Sequence, residues 1–321
     1  MKPATPTICP ICRQSDQLRP YLVREPYAFY RCQRCDLVLR SEPDTRADYE
    51  RVKELYAQGG ADDRAMKVAY TKAFVDSIDI KDSFADKFAD YTTVAERNAS
   101  WILRDVALEP GDRVLEVGGA DGLLLHRLHS RISGLESTLV EPSPVMSARA
   151  EERGEGRVIC GTLDQAELPT GSFDVALLIG NLMLHTDPVA TLSEIARVLV
   201  PGGRVVLDVK NNTTTLRWLG RRLAAARVLR ERLAAHVCQV YPPRTRFFFT
   251  KTSARLAVEV AGLSVRRMKT VHPRSLSFDN RVLSDHTSTG SARVAWVLSR
   301  LDAALDSRAW IWMVAEKPKD V

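Results

Sequence analysis

Four cysteines near the start of the chain form two closely spaced pairs. Cys9 and Cys12 make one Cys-x-x-Cys pair, Cys32 and Cys35 make the second, and 19 residues separate the two pairs. Each pair can fold into a tight turn that directs two thiolates at one ion, and four thiolates complete a tetrahedral zinc site. Because such a site has no open coordination position, the spacing predicts a structural zinc ion in a zinc ribbon, not a catalytic metal.

A glycine-rich loop and two acidic residues further along form a second group. The loop, Glu116 to Gly122, lies between an apolar strand and a helix, so a ligand can approach its backbone closely and meet free N–H groups. Glu141 ends the next predicted strand, where its carboxylate can accept hydrogen bonds from a ribose diol. Asp164 follows the third strand and can accept from an adenine amino group. Because a carboxylate at Glu141 would repel a phosphate, the pattern favours a nucleoside over a nucleotide.

Two common phosphate-binding motifs do not fit this loop. Ala120 stands where a dinucleotide-binding G-x-G-x-x-G motif has its second glycine, and no Gly-Lys-Ser/Thr follows. The sequence therefore excludes a P-loop NTPase and argues against a dinucleotide site.

The scaffold for these residues is predicted from alternating strands and helices. The pattern indicates an α/β fold with a doubly wound, mostly parallel seven-stranded sheet. We expect its strands at residues 114–117, 137–140, 157–160, 173–179, 205–209, 264–270 and 310–315. We expect the helix after the first strand to reach Ile132, and the helix before the fifth strand to reach Leu199.

At these motifs the sequence resembles the class I S-adenosylmethionine-dependent methyltransferases. The matching segments are VLEVGGADG (114–122), LVEPS (139–143), GTLDQAELP (161–169), FDVALLIGNLMLHTDP (173–188) and LVPGGRVVLDV (199–209). The resemblance is closest to bacterial sugar and natural-product methyltransferases with an N-terminal four-cysteine zinc ribbon. In the deoxysugar C-methyltransferases among them the loop reads E-x-G-x-N-D-G, and Ala120 replaces that Asn here.

The resemblance implies a cofactor site and a division into three units. The implied cofactor-binding residues are Glu116, Gly118, Gly119, Ala120, Asp121 and Gly122 around the methionine part, Glu141 with Pro142 at the ribose, Asp164 with Gln165 at the adenine, and Asn181 with Leu182 on the other side. The implied units are a zinc ribbon (1–45), a helical connector (46–90) and a methyltransferase domain (91–321). Within the last, residues 211–250 form an insertion that serves as an acceptor lid.

The group that takes a proton from the acceptor is less well defined. Many relatives read P-P-R-H-L-x-x-F before the last helix, but Thr245 occupies the histidine position here, so that base cannot be carried over. His185, His272 and His286 are the candidates, because a neutral imidazole near pH 7 can accept a proton. Each is also compatible with an ordinary structural or surface histidine.

Positive charge is concentrated in the last third of the chain. Residues 204–274 contain 16 Lys or Arg and three acids, whereas the whole chain has a net charge of +6. Arginines interleaved with aromatic residues suit a small-molecule acceptor with an anionic part, such as a nucleotide-linked sugar or an acidic natural product. The bland alternative is a solvated Arg-rich face.

Three other functional hypotheses remain open. The chain is an RNA methyltransferase if the ribbon and the arginines grip phosphates, although residues 180–183 lack the [D/N]-P-P-[Y/F] motif used on base amines. It is alternatively a non-catalytic module that binds the cofactor. Residues 216–235 are either a lid over the acceptor or a helix on an anionic membrane, reaching lipid-linked glycans.

Composition agrees with a folded globular protein. The chain has 321 residues, of which 45% are hydrophobic and 27% are charged, which is close to ordinary globular usage. This argues against disordered, collagen-like and disulfide-scaffold classes. The sequence has neither an apolar run long enough for a membrane span nor a secretory signal. We therefore expect a soluble, cytoplasmic protein with reduced cysteines.

Overall fold

The computed structural model describes residues 6–24, 27–41, 91–214, 245–271 and 308–319. The predicted connector (46–90), the Arg-rich stretch (216–235) and the last predicted helix (near 294–305) lie outside these residues. Within the described ranges the chain forms two β-sheets, one of four strands and one of seven.

The smaller sheet contains the predicted ribbon. Its strands β1 (Leu18–Arg24), β2 (Tyr27–Cys32) and β3 (Val38–Arg40) pair antiparallel in sequence order. The fourth strand is β9 (Phe247–Phe248), which comes from a distant part of the chain and pairs antiparallel with β3.

The larger sheet confirms the predicted fold class. Its strands are β4 (Arg113–Val117), β5 (Glu136–Glu141), β6 (Arg157–Cys160), β7 (Phe173–Leu178), β8 (Leu199–Lys210), β10 (Ser264–Val271) and β11 (Trp310–Glu316). They lie in the order β10-β11-β8-β7-β4-β5-β6, and β11 is antiparallel to both neighbours. The chain changes direction across the sheet at β4, which lies between β5 and β7. Ligands bind at such a switch point, beyond the carboxyl ends of the strands.

In the described part of the chain, five α-helices cover the two faces of this sheet. They are α1 (Tyr91–Asp105), α2 (Leu123–His129), α3 (Pro144–Arg153), α4 (Pro188–Val198) and α5 (Lys251–Val260). Polar side chains cap three of their N-termini: Ser143, Asp187 and Thr250 accept hydrogen bonds from backbone N–H groups of the first turn. None of the described helices is long and apolar enough to cross a bilayer.

Two predicted helix ends are wrong. The helix α2 ends at His129 instead of Ile132, because the chain leaves the helix through a turn before Gly134, which has a positive φ of 79°. The helix α4 ends at Val198, and β8 begins at Leu199. Leu199 is fully buried and pairs with Phe173 of β7, so strand pairing and burial outweigh continuation of the helix.

The apolar core is continuous between the ribbon and the larger sheet. Leu37 and Leu39 of the ribbon belong to the same buried cluster as Met183, Leu192 and Phe249 of the larger domain. A second cluster lies on the opposite face, under α1 and α2. The ribbon therefore packs as part of the domain.

Candidate functional site

The loop after β4 has a backbone that favours residues with little or no side chain. Gly118, Ala120 and Gly122 have positive φ values of 65°, 53° and 72°. A Cβ atom on Gly118 would lie 2.6 Å from Nδ2 of Asn181, and one on Gly119 would lie 2.3 Å from Cδ of Glu116. The two glycines therefore let these polar side chains pack directly against the loop backbone.

Two buried acceptor atoms beside this loop lack a donor. Oε2 of Glu116 and Oδ1 of Asn181 have no hydrogen-bond partner in the described part of the chain. Burial raises the pKa of Glu116 to about 8, and the charges of Glu141 and Asp121 add to the effect. Since buried acceptors normally have partners, the two atoms mark a place for a ligand with N–H donors or a positive charge.

Glu141 is held in place by the backbone. Its Oε1 accepts from the N–H of Ser143 at 2.9 Å, and its Oε2 accepts from the N–H of Ala120 at 3.0 Å. Burial raises its pKa, while these two hydrogen bonds act in the opposite direction. Each carboxylate oxygen retains a second lone pair, so the fixed carboxylate can still accept from a pair of hydroxyl groups.

Asp121 has a partner within the protein. Nη2 of Arg153 on α3 lies 2.5 Å from Oδ2 of Asp121, and Nε of the same arginine donates to the Asp121 carbonyl. This pair ties the glycine loop to α3. Pro142 is half-buried next to Glu141, and Leu182 is buried beside Asn181.

The predicted adenine-side residues lie on a short turn after β6. Asp164 and Gln165 are both exposed. The Gln165 side chain accepts a hydrogen bond from the Thr162 N–H as part of a capping box. Of the two side chains, that of Asp164 is therefore more available to a ligand. The negative charge of Asp164 also raises the pKa of His185 slightly, whereas burial and the positive charge of Arg246 lower it by more.

His185 is neutral at physiological pH. Burial lowers its pKa to about 4, and the nearby positive charge of Arg246 lowers it further. Its Nδ1 lies 3.0 Å from Oγ1 of Thr191, and that hydroxyl also lies 3.0 Å from the Asp187 carbonyl. A hydroxyl has one proton, and the carbonyl can only accept it, so Nδ1 of His185 donates and Nε2 has the free lone pair. Among the described residues Nε2 has no hydrogen-bond partner.

Asp208 is a buried acid that our sequence analysis missed. Its Oδ1 accepts from the Gly180 N–H at 2.5 Å, which holds the start of the segment after β7. Burial raises its pKa to about 7, and the charge of Arg97 on α1 acts in the opposite direction. A single acid inside the apolar run VVLDV was the available signal.

Cationic groups lie next to the same edge of the sheet. Lys210, the last residue of β8, donates to Oγ1 of Thr245 at 3.1 Å and lies 6.0 Å from the ring centre of Trp310. Arg246 is 9% exposed, and its charge reaches His185. This edge therefore combines positive charge with an aromatic face.

The four predicted metal ligands come together. The Sγ atoms of Cys9, Cys12, Cys32 and Cys35 all lie within 4.8 Å of one another. Two pairs are separated by 3.6 Å, far beyond a disulfide bond and close to the ~3.8 Å between ligands of a tetrahedral zinc–thiolate site. Burial raises the pKa of Cys12 to about 11. The pKa of Cys9, by contrast, is lowered to about 5 by its contact with the Cys35 thiol. The separations between the four sulfur atoms are therefore what fit a zinc ion.

The other two candidate histidines are not placed. His272 and His286 lie outside the described residues, as do the six arginines between residues 217 and 232. Of the three candidate bases, His185 alone has a described environment.

Comparison with known proteins agrees with this fold. Residues 115–207 match the family model described as a methyltransferase domain. The chain is 24% identical over 127 residues to the uncharacterized methyltransferase YdaC of Bacillus subtilis, a match that covers 38% of this chain and 70% of YdaC. It is 33% identical over 108 residues to the uncharacterized methyltransferase Rv3342 of Mycobacterium tuberculosis, covering 33% of this chain and 43% of Rv3342.

A solved structure shares the fold. It is the complex between the Trm112 methyltransferase activator and a methyltransferase of Haloferax volcanii, with a TM-score of 0.53, 21% identity, and coverage of 73% of this chain and 92% of that chain. At this identity the likeness concerns the fold alone. Together, the sheet order and the matched domain support a Rossmann-like methyltransferase fold and an S-adenosylmethionine-dependent methyltransferase.

Proposed function

We propose that this enzyme transfers the methyl group of S-adenosylmethionine to a small-molecule acceptor with an anionic part, such as a sugar, a glycoside or a natural-product scaffold. The observation that carries the cofactor assignment is the pair of donorless buried acceptors, Glu116 Oε2 and Asn181 Oδ1. The ammonium group of a methionine moiety supplies both charge and N–H donors to such a pair. Glu141 would hold the ribose, and Asp164 the adenine.

The bound cofactor supplies a methyl group that its sulfonium already activates. The protein's contribution is then to align the acceptor, to exclude water and to receive a proton. Lys210 at the end of β8, Arg246 next to β9 and Trp310 at the start of β11 lie at the same edge of the sheet. These groups support an acceptor that combines an anionic part with a flat or apolar part.

His185 is our candidate for the proton acceptor. When an acceptor is methylated, the proton that it loses would move to Nε2 of His185, which has the free lone pair. An anionic acceptor next to Arg246 would cancel one of the two effects that lower the pKa of His185, which makes the imidazole a better base. Nitrogen-15 NMR of the imidazole tests the assignment: we expect the Nδ1–H tautomer from pH 5 to 8, and its loss of preference in Thr191→Val.

Cofactor binding is tested by calorimetry with S-adenosylhomocysteine. Glu141→Ala should lose the hydrogen bonds to two hydroxyls, about 5- to 150-fold in affinity. Glu136→Ala is the matched control, because Glu136 is an exposed acid at the other end of the same strand β5. Equal affinities for both variants and the wild type would contradict the placement.

The nucleic-acid alternative has a separate test. A polynucleotide makes many phosphate contacts, so its affinity falls by orders of magnitude between ~50 and 200 mM salt. Filter retention of mixed cellular RNA should show weak binding to this protein over that range. Tight, steeply salt-dependent binding that disappears on reversing Arg221, Arg222 and Arg227 would favour the RNA methyltransferase instead.

We also propose one structural zinc ion per chain. Metal analysis should give a stoichiometry near one, and the double variant Cys9→Ser/Cys12→Ser should lose the metal. Cys160→Ser is the control, since Cys160 is exposed at the end of β6 and lies outside the cluster. The unbridged thiols also support our proposal of a cytoplasmic location.

A further inference from the structure

The ribbon contacts the larger domain through strand pairing. Val38 and Leu39 of β3 pair with Phe248 and Phe247 of β9, and the Arg40 N–H donates to the Arg246 carbonyl at 2.9 Å. The strand β3 starts three residues after the last cysteine of the cluster, and the Cys32 N–H donates to the Leu37 carbonyl. The metal site and the docking strand are thus parts of one short, hydrogen-bonded unit.

Side chains reinforce this docking. The rings of Phe29 on β2 and Phe248 on β9 meet edge to face with centres 6.0 Å apart, and both are buried. On the exposed side, Nη2 of Arg13 lies 2.7 Å from Oδ2 of Asp187, the residue that caps α4. Tyr21 accepts a hydrogen bond from the Asn212 side chain after β8. The ribbon therefore contacts the segments that follow both β7 and β8.

The segment around β9 in turn holds the turn after β7. The Arg246 N–H donates to the Met183 carbonyl at 3.0 Å, and Met183 is in the short turn Leu182–Leu184. Asn181 immediately precedes this turn, and its Nδ2 donates to the Val117 carbonyl at 2.5 Å. A continuous set of backbone contacts therefore leads from the cysteine cluster through β3 and β9 to the side chain that packs on Gly118.

We infer that the metal-loaded ribbon is a positioning element of the methyl-donor site, so that zinc and cofactor bind with positive cooperativity. This inference rests on the proposed function. With zinc bound, β3 keeps its shape and holds β9 and the turn Leu182–Leu184, and Asn181 stays against the glycine loop. Without zinc, β3 loses the cross-link that fixes it, and Asn181 loses its support.

Thermodynamic linkage makes the inference measurable in two directions. If zinc raises the affinity for S-adenosylhomocysteine by some factor, then S-adenosylhomocysteine must raise the affinity for zinc by the same factor. We expect a factor of about 5 to 150, the usual range for coupling between two sites in one protein. A ribbon that only adds stability to the fold would leave the cofactor affinity unchanged.

The first measurement is calorimetric titration of S-adenosylhomocysteine into zinc-loaded and zinc-depleted full-length protein, with circular dichroism to verify that the sheet stays folded. The second uses zinc-loaded protein alone and so does not depend on folding of the depleted form. Transfer of zinc to the chelator 4-(2-pyridylazo)resorcinol is measured at equilibrium with and without saturating S-adenosylhomocysteine. Bound S-adenosylhomocysteine should protect the zinc ion from transfer to the chelator. Glu141→Ala, which weakens cofactor binding, should reduce this protection.

A docking variant tests the route. Phe29→Leu removes the ring contact with Phe248 but leaves the four cysteines intact, so it should retain one zinc and show a smaller coupling factor. Ile102→Val on α1 is the control, because Ile102 is equally buried but belongs to the core cluster on the opposite face of the sheet.

The outcomes are distinguishable. Normal S-adenosylhomocysteine binding with zinc affinity that is the same with and without it would overturn this inference and leave the proposed function standing. Absence of S-adenosylhomocysteine binding to the zinc-loaded protein would overturn both. Absence of zinc binding would overturn the inference and the proposed zinc ion, and would leave the proposed methyl transfer standing.

Discussion

Glu116 makes cofactor binding depend on pH in a direction that the structure fixes. Its carboxyl group is 3% exposed, one of its oxygens has no partner among the described residues, and burial raises its pKa to about 8. In the free protein near neutral pH this group is therefore mostly protonated. A ligand ammonium binds best to the ionised form, so cofactor binding must release the proton.

The size of the effect follows from the titration of one group. With a pKa of about 8 in the free protein, roughly 1% of Glu116 is ionised at pH 6 and roughly a quarter at pH 7.5. If only the ionised form binds, the affinity for S-adenosylhomocysteine should rise about 20-fold over this interval. The ligand's own amino group stays largely protonated over the same range.

Calorimetry in buffers of different ionisation enthalpy measures both the number of protons released on binding and the affinity at each pH. We expect the release of close to one proton per ligand at pH 6, and a matching increase in affinity with pH. Glu116→Gln keeps the shape of the side chain but cannot ionise, so it should bind weakly and show a flat profile. Asp208→Asn removes another acid with a raised pKa and should leave most of the slope, since Asp208 accepts from the Gly180 N–H and is not one of the groups proposed to meet the ligand. A flat wild-type profile, or an unchanged slope in Glu116→Gln, would refute the reasoning.

Stability of the free protein should change with pH in the opposite sense. The pKa of Glu116 is raised on folding from 4.5 to about 8. Its contribution to stability is therefore fully present below about pH 4.5 and is lost as the pH rises through 8. The melting temperature of Glu116→Gln relative to the wild type should consequently rise from pH 5 to pH 8.5.

Two further predictions concern local structure. Ala120 has a φ of +53°, a conformation that glycine adopts more easily than alanine. Thermal melts of Ala120→Gly should therefore show a free energy of unfolding that is higher by about 1 kcal/mol. In the control, Ala190→Gly on the exposed side of α4, it should be lower by about 0.5–1 kcal/mol. Asp187 caps α4 and also pairs with Arg13. Asp187→Ala should cost about 1 kcal/mol and Arg13→Ala less than about 0.5 kcal/mol, and equal losses in denaturant titrations would mean that the surface ion pair outweighs the cap.

Much of the large sheet, and of the candidate site at the carboxyl ends of its strands, was predictable from local sequence patterns. Apolar strands such as Phe173–Leu178 are buried on both faces, which produces an unbroken apolar run. Glu141 stood out because it ends a strand at a place where strand ends face a ligand. The φ of Ala120 also explains why related loops favour Asn there, since Asn tolerates the left-handed region better than Ala does.

Partners between distant side chains were not predictable in this way. Asp121 was expected beside the cofactor from its place in the loop, whereas its carboxylate contacts Arg153, 32 residues away on α3. Nothing in the loop sequence specifies this pair, because it depends on how α3 packs against the sheet. The buried acid Asp208 had a visible signal, but its partner, the Gly180 N–H, is likewise set by the sheet order.

The docking of the ribbon accounts for the burial of three consecutive phenylalanines. Phe247, Phe248 and Phe249 are consecutive and all buried. A strand exposes successive side chains on opposite faces, so three consecutive buried aromatic residues need apolar cover on both sides. The rings of Phe247 and Phe249 belong to the core of the larger domain, and the ring of Phe248 contacts Phe29 of the ribbon. Our prediction for residues 211–250 is a lid over the acceptor. Such a lid would not by itself pack against the second face of this strand. The run of three phenylalanines therefore already called for a second packing layer, and the ribbon is the part of the described chain that provides it.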